Sequence, residues 1–470
     1  MSKASFGGGK WCVLGDFNVV LSLEDRRGVN VGTSSNLEMR GFRSFLEEVD
    51  LVDLPLLGRR FTWFHAIGVA MSRIARVWVS LEWLDEWGDY AVWVCSRDVS
   101  DHCPLVLKYP DNDWGPKPFR FNNYWLDHKN FKKVVEDCWR GQEVSGWMAF
   151  VLKEKLKALK VFLKDWSKVE FGSVDNKIAN IVEDIGVLDV RGELSGLNNL
   201  EVIQRKDLFV ELWKLQKIKE ASLFQRSRSK WLLQGDANSK YFHACVVSRS
   251  RRNNISALKV GEIWLENPAH IKEEVVNFFE QHFSSPNVCR PNLNGVNFPS
   301  LSLEDNFRLT APFSYDETFD AVKESDGSKS PGPDGYNYAF LKNSWDLIKG
   351  EIRIMFDQFH GIGILPKCLL SYFVTLIPKV NSLFGLSDFR PISLLGCLYK
   401  LIAKVLTSRL SKVMNTLIAP NQSAFIKGRN RVDGVLVSNE LVDLAKRQGN
   451  KCLIFKVDFE KGMTPSIGTS

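Results

Sequence analysis

Three places in this 470-residue chain put a carboxylate at the end of an apolar run, where a strand can deliver it to a cleft. In "VLGDFNVV" Asp16 and Asn18 end one run, in "SDHCPLVL" Asp101 and His102 precede another, and in "LIFKVD" Asp458 closes a third. Asp and Asn after Gly also make ordinary turns, so the first motif alone carries little. Two such strand-edge sites together assemble the means to hydrolyse a phosphate ester. Asp16 would polarise a water, Asn18 orient it, Asp101 stand beside a divalent ion, and His102 stabilise charge on the phosphorane. Asp458 has the position of a first metal ligand in a metal-dependent polymerase. That chemistry needs further carboxylates, because two ions must be held about 3.5–4 Å apart. Glu460, two residues on and on the same strand face, is the one neighbour available.

The elements that must position these groups follow from composition and pattern. The chain is 44% hydrophobic and 25% charged, with fifteen Trp and thirty-one Phe, which excludes pervasive disorder and predicts two or three domains with cores of their own. Net charge is +7, concentrated in "RSRSKW" and "SRSRR". Arg226, Arg228, Lys230, Arg249, Arg251 and Arg252 are therefore candidate phosphate contacts, the alternative being a solvated basic face. Nine cysteines without a C-x-x-C pair argue against a disulfide framework and for a reducing compartment. The N-terminus "MSKASFGGGKW" lacks a signal-type apolar core and no run reaches the roughly twenty apolar residues of a membrane span, so an intracellular, soluble protein of nucleus or cytoplasm is expected.

An α+β multidomain chain in three consecutive parts is predicted. Residues 1–108 carry short β-type runs punctuated by Gly, Asp and Ser, suggesting a partial α/β sandwich. Residues 109–253 comprise a Pro- and Asn-rich linker and a helical connector. There Leu152, Leu156, Leu159, Leu163 and Trp166 form one helical stripe and Leu208, Leu212, Leu215 and Ile218 a second, with a break expected around 187–199 that folds them into an antiparallel pair. Residues 254–470 alternate helix and strand patterns around "SPGPDG", read as a tight turn, and "LIPK".

The segments "GDFNVVLSLEDRRG", "LVDLPLLGRRFTWF" and "SDHCPLVL" resemble the C-terminal half of the apurinic-endonuclease-like (endonuclease/exonuclease/phosphatase) domain of LINE-type, non-LTR retrotransposon polyproteins, especially those of plants. Downstream, "QRSRSKWLLQGDANSKYFH", "SPGPDGYNYAFLKNSW", "LIPK", "DFRPISLLGCLYKLIAKVLTSRL", "NQSAFIKGRN" and "KVDFEK" follow in the order of the reverse transcriptase of those elements. The resemblance implies reverse-transcriptase fingers and the start of a palm over 254–470, Mg²⁺ as cofactor, RNA and DNA as partners, and no small-molecule substrate besides nucleotides. It makes Asp16, Asn18, Asp101 and His102 endonuclease residues and Asp458 the first palm metal ligand, with Asp101 a second metal contact. Lys379 and Arg390 would cradle a nucleotide triphosphate, and Gln422, Phe425 and Arg429 would lie beside template and nucleotide.

The same resemblance implies gaps. The family's Asn-bearing strand and metal-binding Glu precede its G-D-F-N, whereas here fourteen residues do, so a half sandwich with open strand edges and half a metal site is expected. Ala75 stands where the family has the Asp that orients its catalytic imidazole. No Tyr-x-Asp-Asp occurs in the chain, and "KGMTPSIGTS" replaces the Lys-Ala-Tyr-Asp continuation. The expectation is a reverse transcriptase (RNA-directed DNA polymerase) fragment with an endonuclease remnant, catalytically inactive as this chain. The competing readings are a nucleic-acid-binding remnant without catalysis and a non-functional translation product.

Overall fold

The computed structural model describes residues 9–28, 33–88, 90–109, 113–228, 239–283, 295, 298–379, 385–419, 421–422, 425–451 and 453. In the first part the strands are short: β1 Cys12–Asp16, β2 Arg26–Arg27, then helix α1 Thr33–Val49, β3 Leu51–Asp53, β4 Leu56–Leu57, β5 Trp63–Phe64, β6 Met71–Ser72, β7 Ala75–Ser80, helix α2 Leu81–Trp87, β8 Ala91–Val94 and β9 Leu105–Lys108. They form three three-stranded sheets, β1-β7-β3, β2-β6-β5 and β4-β8-β9. β7 is central and buried along its whole length, "ARVWVS". Alternation sends Val77 and Val79 into a core with Leu54, Leu56, Val92 and Val94. Trp78, on the opposite face, meets Phe17 and Phe42 edge-on. β1 is an edge strand with Leu14 70% exposed, the kind of open edge that invites further pairing.

The polar face of β7 also buries Arg76, which reaches Asp25 at 2.7 Å and Asp53 at 2.5 Å, while Arg73 reaches Asp53 at 2.8 Å. Two buried cations, Arg76 in β7 and Arg73 just before it, are tolerated because each is paired; removing one partner would strand the other in low dielectric. Burial holds the Arg73 guanidinium below its ordinary range.

The chain continues through α3 Phe131–Arg140, α4 Met148–Glu170, α5 Val174–Ser195, α6 Asn199–Ser227 and α7 Ser239–Asn253, then β10 Leu258–Val260, β11 Ile263–Leu265 and α8 Pro268–Phe283. Leu152, Leu156, Leu159 and Leu163 of α4 are all buried, as their spacing predicts. The expected break around 187–199 is corrected in one respect. Gly186 and Gly192 lie inside α5, and the turn is confined to 196–198. Asn198 marks where the second helix starts: its side chain accepts from the Glu201 amide and the Glu201 carboxylate accepts from the Asn198 amide, each at 2.9 Å, a reciprocal cap. The antiparallel pair is therefore α5 with α6 rather than the first stripe with the second. Ion pairs Asp175–Lys219, Asp189–Arg205 and Arg191–Glu201 run along it in opposite chain directions.

The last part contains α9 Leu303–Thr310, α10 Tyr315–Lys323, α11 Tyr338–Asn343, α12 Trp345–Ile362, β12 Tyr372–Pro378, β13 Phe389–Leu395, α13 Cys397–Leu417 and α14 Arg431–Gln448. The chain divides into two compact units that do not follow chain order. One comprises 1–117, 171–279 and 374–393; the other comprises 118–170, 280–373 and 394–470. In the second, α4 lies against α12, with Glu351 taking Lys155 at 2.7 Å and the Trp139 indole N–H at 2.8 Å. An aromatic group of Phe121, Trp125, Phe131, Tyr336 and Phe340 fills its interior.

"SPGPDG" is a turn, closed by the Gly335 amide donating to the Gly332 carbonyl, and more than a turn. A Cβ on Gly332 would stand 2.3 Å from the Leu395 carbonyl carbon, and one on Gly335, at φ +83°, would stand 2.4 Å from the Phe119 ring. Between them Asp334 is half-buried and accepts from the Cys397 amide at 2.5 Å. The cap position of α13 is Gly396, which has no side chain to offer, so a carboxylate from far along the chain caps that helix and complements its dipole. Burial pushes the Asp334 carboxyl and the Cys397 thiol upward from their usual ranges.

Candidate functional site

Asp16 ends β1 opposite Ala75 of β7. The next two residues leave the sheet: Asn18 turns at φ +54° and its amide donates to Asp16 Oδ1 at 3.0 Å. From the other motif, His102 bridges antiparallel to Trp63 of β5, and the Phe64 amide donates to the Asp101 carbonyl. This brings His102 Nε2 to 3.8 Å from Asp16 Oδ2 and 4.0 Å from Asp101 Oδ1. Those separations allow electrostatic attraction to a protonated imidazole but exceed hydrogen-bond reach, so neither carboxylate fixes the ring as an orienting partner would. The Trp63 indole N–H donates to Asp101 Oδ2 at 2.8 Å and, as the main cause, holds that carboxyl below the usual range. Sequence reasoning had no signal for Trp63, since the pairing is set by the β5–His102 bridge.

In the last part of the chain, Lys379 follows β12 and Arg390 lies in β13, whose strands pair in a two-stranded sheet. The Lys379 ammonium donates to the Ser387 carbonyl at 2.8 Å, while Arg390 is solvent-exposed. Gln422 and Phe425 are exposed, Phe425 at 92% and with φ +65°. A bulky residue in that backbone region is strained by roughly 1–3 kcal/mol, a cost that clusters at functional positions. Arg429 is half-buried and bonded within the chain. Its guanidinium donates to the carbonyls of Ala419 at 2.6 Å, Gln422 at 2.7 Å and Ile418 at 2.9 Å, closing the C-terminal end of α13. Asp458 and Lys230 lie outside the described residues.

Of the remaining basic candidates, Arg226 is exposed near the end of α6 and Arg228 follows it in the left-handed region. On α7, Arg249 and Arg252 are exposed, but Arg251 is 7% exposed and lines a small cavity with Leu57, Ile255 and Phe389. Its burial sets Arg251 apart from the other basic candidates. Ala244 and Val247 turn the same face of α7 into the core, and Arg251 follows at helical spacing.

Among the described residues no group of three or more His, Cys, Asp or Glu side chains could hold a metal ion. Asp16, Asp101 and His102 are not among such groups, although His102 Nε2 lies 3.8 Å from Asp16 and 4.0 Å from Asp101. Nor, among the described residues, is any helix long and apolar enough to cross a membrane.

Residues 377–463 match the family "Reverse transcriptase (RNA-dependent DNA polymerase)". This segment contains Lys379, Arg390, Gln422, Phe425, Arg429 and Asp458. Over 471 residues the chain is 28% identical to the transposon TX1 uncharacterized 149 kDa protein of Xenopus laevis, covering 95% of this chain and 35% of that protein. It is 30% identical over 130 residues to the retrovirus-related Pol polyprotein from type-1 retrotransposable element R1 of Bradysia coprophila, covering 27% of this chain and 13% of that one. Against the corresponding polyprotein of type-2 element R2DM of Drosophila melanogaster it is 29% identical over 138 residues, 28% of this chain and 12% of that one. The chain thus spans about a third or less of the relatives it matches. It carries reverse transcriptase sequence over 377–463 and is similar to proteins of non-LTR retrotransposons, along nearly its whole length in the case of the TX1 protein.

Proposed function

We propose that this chain is the template- and nucleotide-handling part of an RNA-directed DNA polymerase, preceded by an endonuclease/exonuclease/phosphatase-like portion, and that it does not polymerise by itself. In this reading residues 1–108 are the endonuclease-like partial sandwich, 109–253 the connector, and 254–470 the fingers and start of the palm. The single observation that carries it is the reverse transcriptase match over 377–463, which contains all six residues that motif reasoning assigns to the polymerase.

Within that frame Lys379 and Arg390 attract the triphosphate as a point charge and a planar fork. Phe425, exposed and strained, offers a ring face to a template base. Arg429 serves by shaping the α13–α14 turn that presents Gln422 and Phe425. Asp458 supplies one carboxylate toward Mg²⁺, and phosphoryl transfer between two ions needs more than Asp458 and Glu460 offer. Asp16, Asn18, Asp101 and His102 form the edge of the endonuclease-like portion, and without a third ligand they bind substrate weakly and do not cleave it.

The test is primer extension on an RNA template by the purified 470-residue chain with Mg²⁺ or Mn²⁺. No extension is expected from the wild type or from Asp458→Asn. Extension that Asp458→Asn abolishes would overturn the inactive part of the reading. A chain that binds neither RNA nor DNA at low salt would overturn the whole.

A further inference from the structure

The second unit contains a cavity of about 220 Å³ outside every residue considered so far for nucleotide or phosphate binding. One wall is α4, where Lys153, Lys157 and Lys160 recur at spacings of four and three and so share a face. Opposite are Pro333 and the first turn of α13, with Tyr399. Leu369 closes the floor. Three cations converge on a partly apolar space beside the N-terminal end of a 21-residue helix.

The charges facing this space are unbalanced. Glu154 pairs with Lys157 at 3.3 Å and lies 3.8 Å from Lys153, one carboxylate between two ammonium groups. Lys160 donates to the Pro333 carbonyl, a neutral acceptor. Asp334 is the one acidic residue in the wall, and it is half-buried and bonded to the Cys397 amide. Lys155, which points the other way, is neutralised by Glu351, so the excess is confined to the cavity face of α4. An anion is therefore favoured here. The apolar floor and the Tyr399 ring add a surface that a bare inorganic anion does not use.

Size narrows the choice. Pockets that enclose a whole drug-sized ligand run to roughly 300–1,000 Å³, so this one suits a single base of a longer strand, its phosphates outside on the lysines. We propose that the α4–α13 cavity binds one nucleotide of single-stranded nucleic acid, the base against Tyr399 and Leu369 and the flanking phosphates on Lys153 and Lys157. The proposal rests on the nucleic-acid-handling reading above and adds to it a second, separate contact.

The experiment uses the full chain, with fluorescently labelled oligo(rU) and oligo(dT) titrated by anisotropy across a salt series. Lys153 and Lys157 side chains are 44% and 67% exposed, so Lys153→Gln/Lys157→Gln leaves the fold intact. Roughly tenfold weaker binding is expected from it, with a salt slope shallower by about 1.4 for the two lost phosphate contacts. Tyr399→Leu should weaken binding and leave the slope unchanged, because stacking releases no counterions. Cys368, half-buried in the cavity wall, gives an independent readout: either oligonucleotide should slow its alkylation by iodoacetamide, whereas inorganic phosphate should not.

Binding of the strands by the wild type with unchanged affinity and slope in both variants would overturn the site and leave the general reading standing. Protection of Cys368 by phosphate alone would equally overturn the nucleotide assignment. A wild type that binds no strand would overturn both.

Discussion

Arg409 offers the sharpest test of what holds the second unit together. It lies on α13 and is 5% exposed, yet every face of its guanidinium is used. It reaches the Glu317 carboxylate of α10 twice, at 2.9 and 2.7 Å, and donates to the carbonyls of Leu309, Ala311 and Pro312 at 3.2, 2.5 and 2.8 Å. It also stacks 4.2 Å from the Phe313 ring centroid. Arg409→Met keeps the apolar stem and removes the fork. Breaking a buried pair from one side costs about 3–5 kcal/mol, and the Glu317 side chain retains 27% exposure, so the lower end of that range applies. Against a total stability of roughly 5–15 kcal/mol, a loss of about 3 kcal/mol is large enough to read in urea.

The pH dependence supplies the sign. Arg409 is the main cause of a Glu317 carboxyl held below its ordinary range. A depressed carboxyl contributes stability that is complete above the unfolded pKa of about 4.3 and is lost as pH falls through the folded value. The difference between wild type and Arg409→Met should therefore be full at pH 7 and should shrink in acid. Glu317→Gln in the Arg409→Met background should recover part of the loss, because the stranded charge is gone. The assay is urea unfolding followed by tryptophan fluorescence, Trp345 being hydrogen-bonded to Tyr315 on the same helix as Glu317. A loss below about 1 kcal/mol at pH 7, or one that is identical in acid, would refute the reasoning.

Gly332→Ala must move the backbone at Leu395, so a loss of about 1–3 kcal/mol is expected, read as a lower thermal midpoint. Trp63→Phe removes the donor that depresses Asp101, so the Asp101 carboxyl should titrate higher by NMR; an unmoved titration would exclude the indole as the cause. Arg429→Gln should increase amide exchange at the end of α13, since its carbonyls lose their clamp. Arg251→Gln should destabilise the first unit more than Arg249→Gln, because only the former is buried.

What the sequence determined by itself is what depends on neighbours in the chain. The leucines of α4 announce their buried face because helical spacing and apolarity are both local properties. The Asn198–Glu201 cap was likewise present in the sequence as Asn followed at three residues by Glu. Strand-end position was enough to anticipate that Asp16 and His102 approach one another. The mixed helix and strand content and the reverse transcriptase motifs were also legible, because motif order survives without coordinates.

Only the tertiary structure decided which charges face water and which are spent on the fold. Arg251 looks like its neighbours Arg249 and Arg252 in sequence, and a third of a helical turn puts it inside. Arg429 carries a binding motif's charge, yet three carbonyls at a helix end consume its donors. Asp334 sits in what reads as a simple turn and caps a helix more than sixty residues away. Each of these depends on a partner distant in sequence. A hydrogen bond or buried ion pair has a range of a few ångströms in space and none along the chain, so no periodicity or spacing could reveal it.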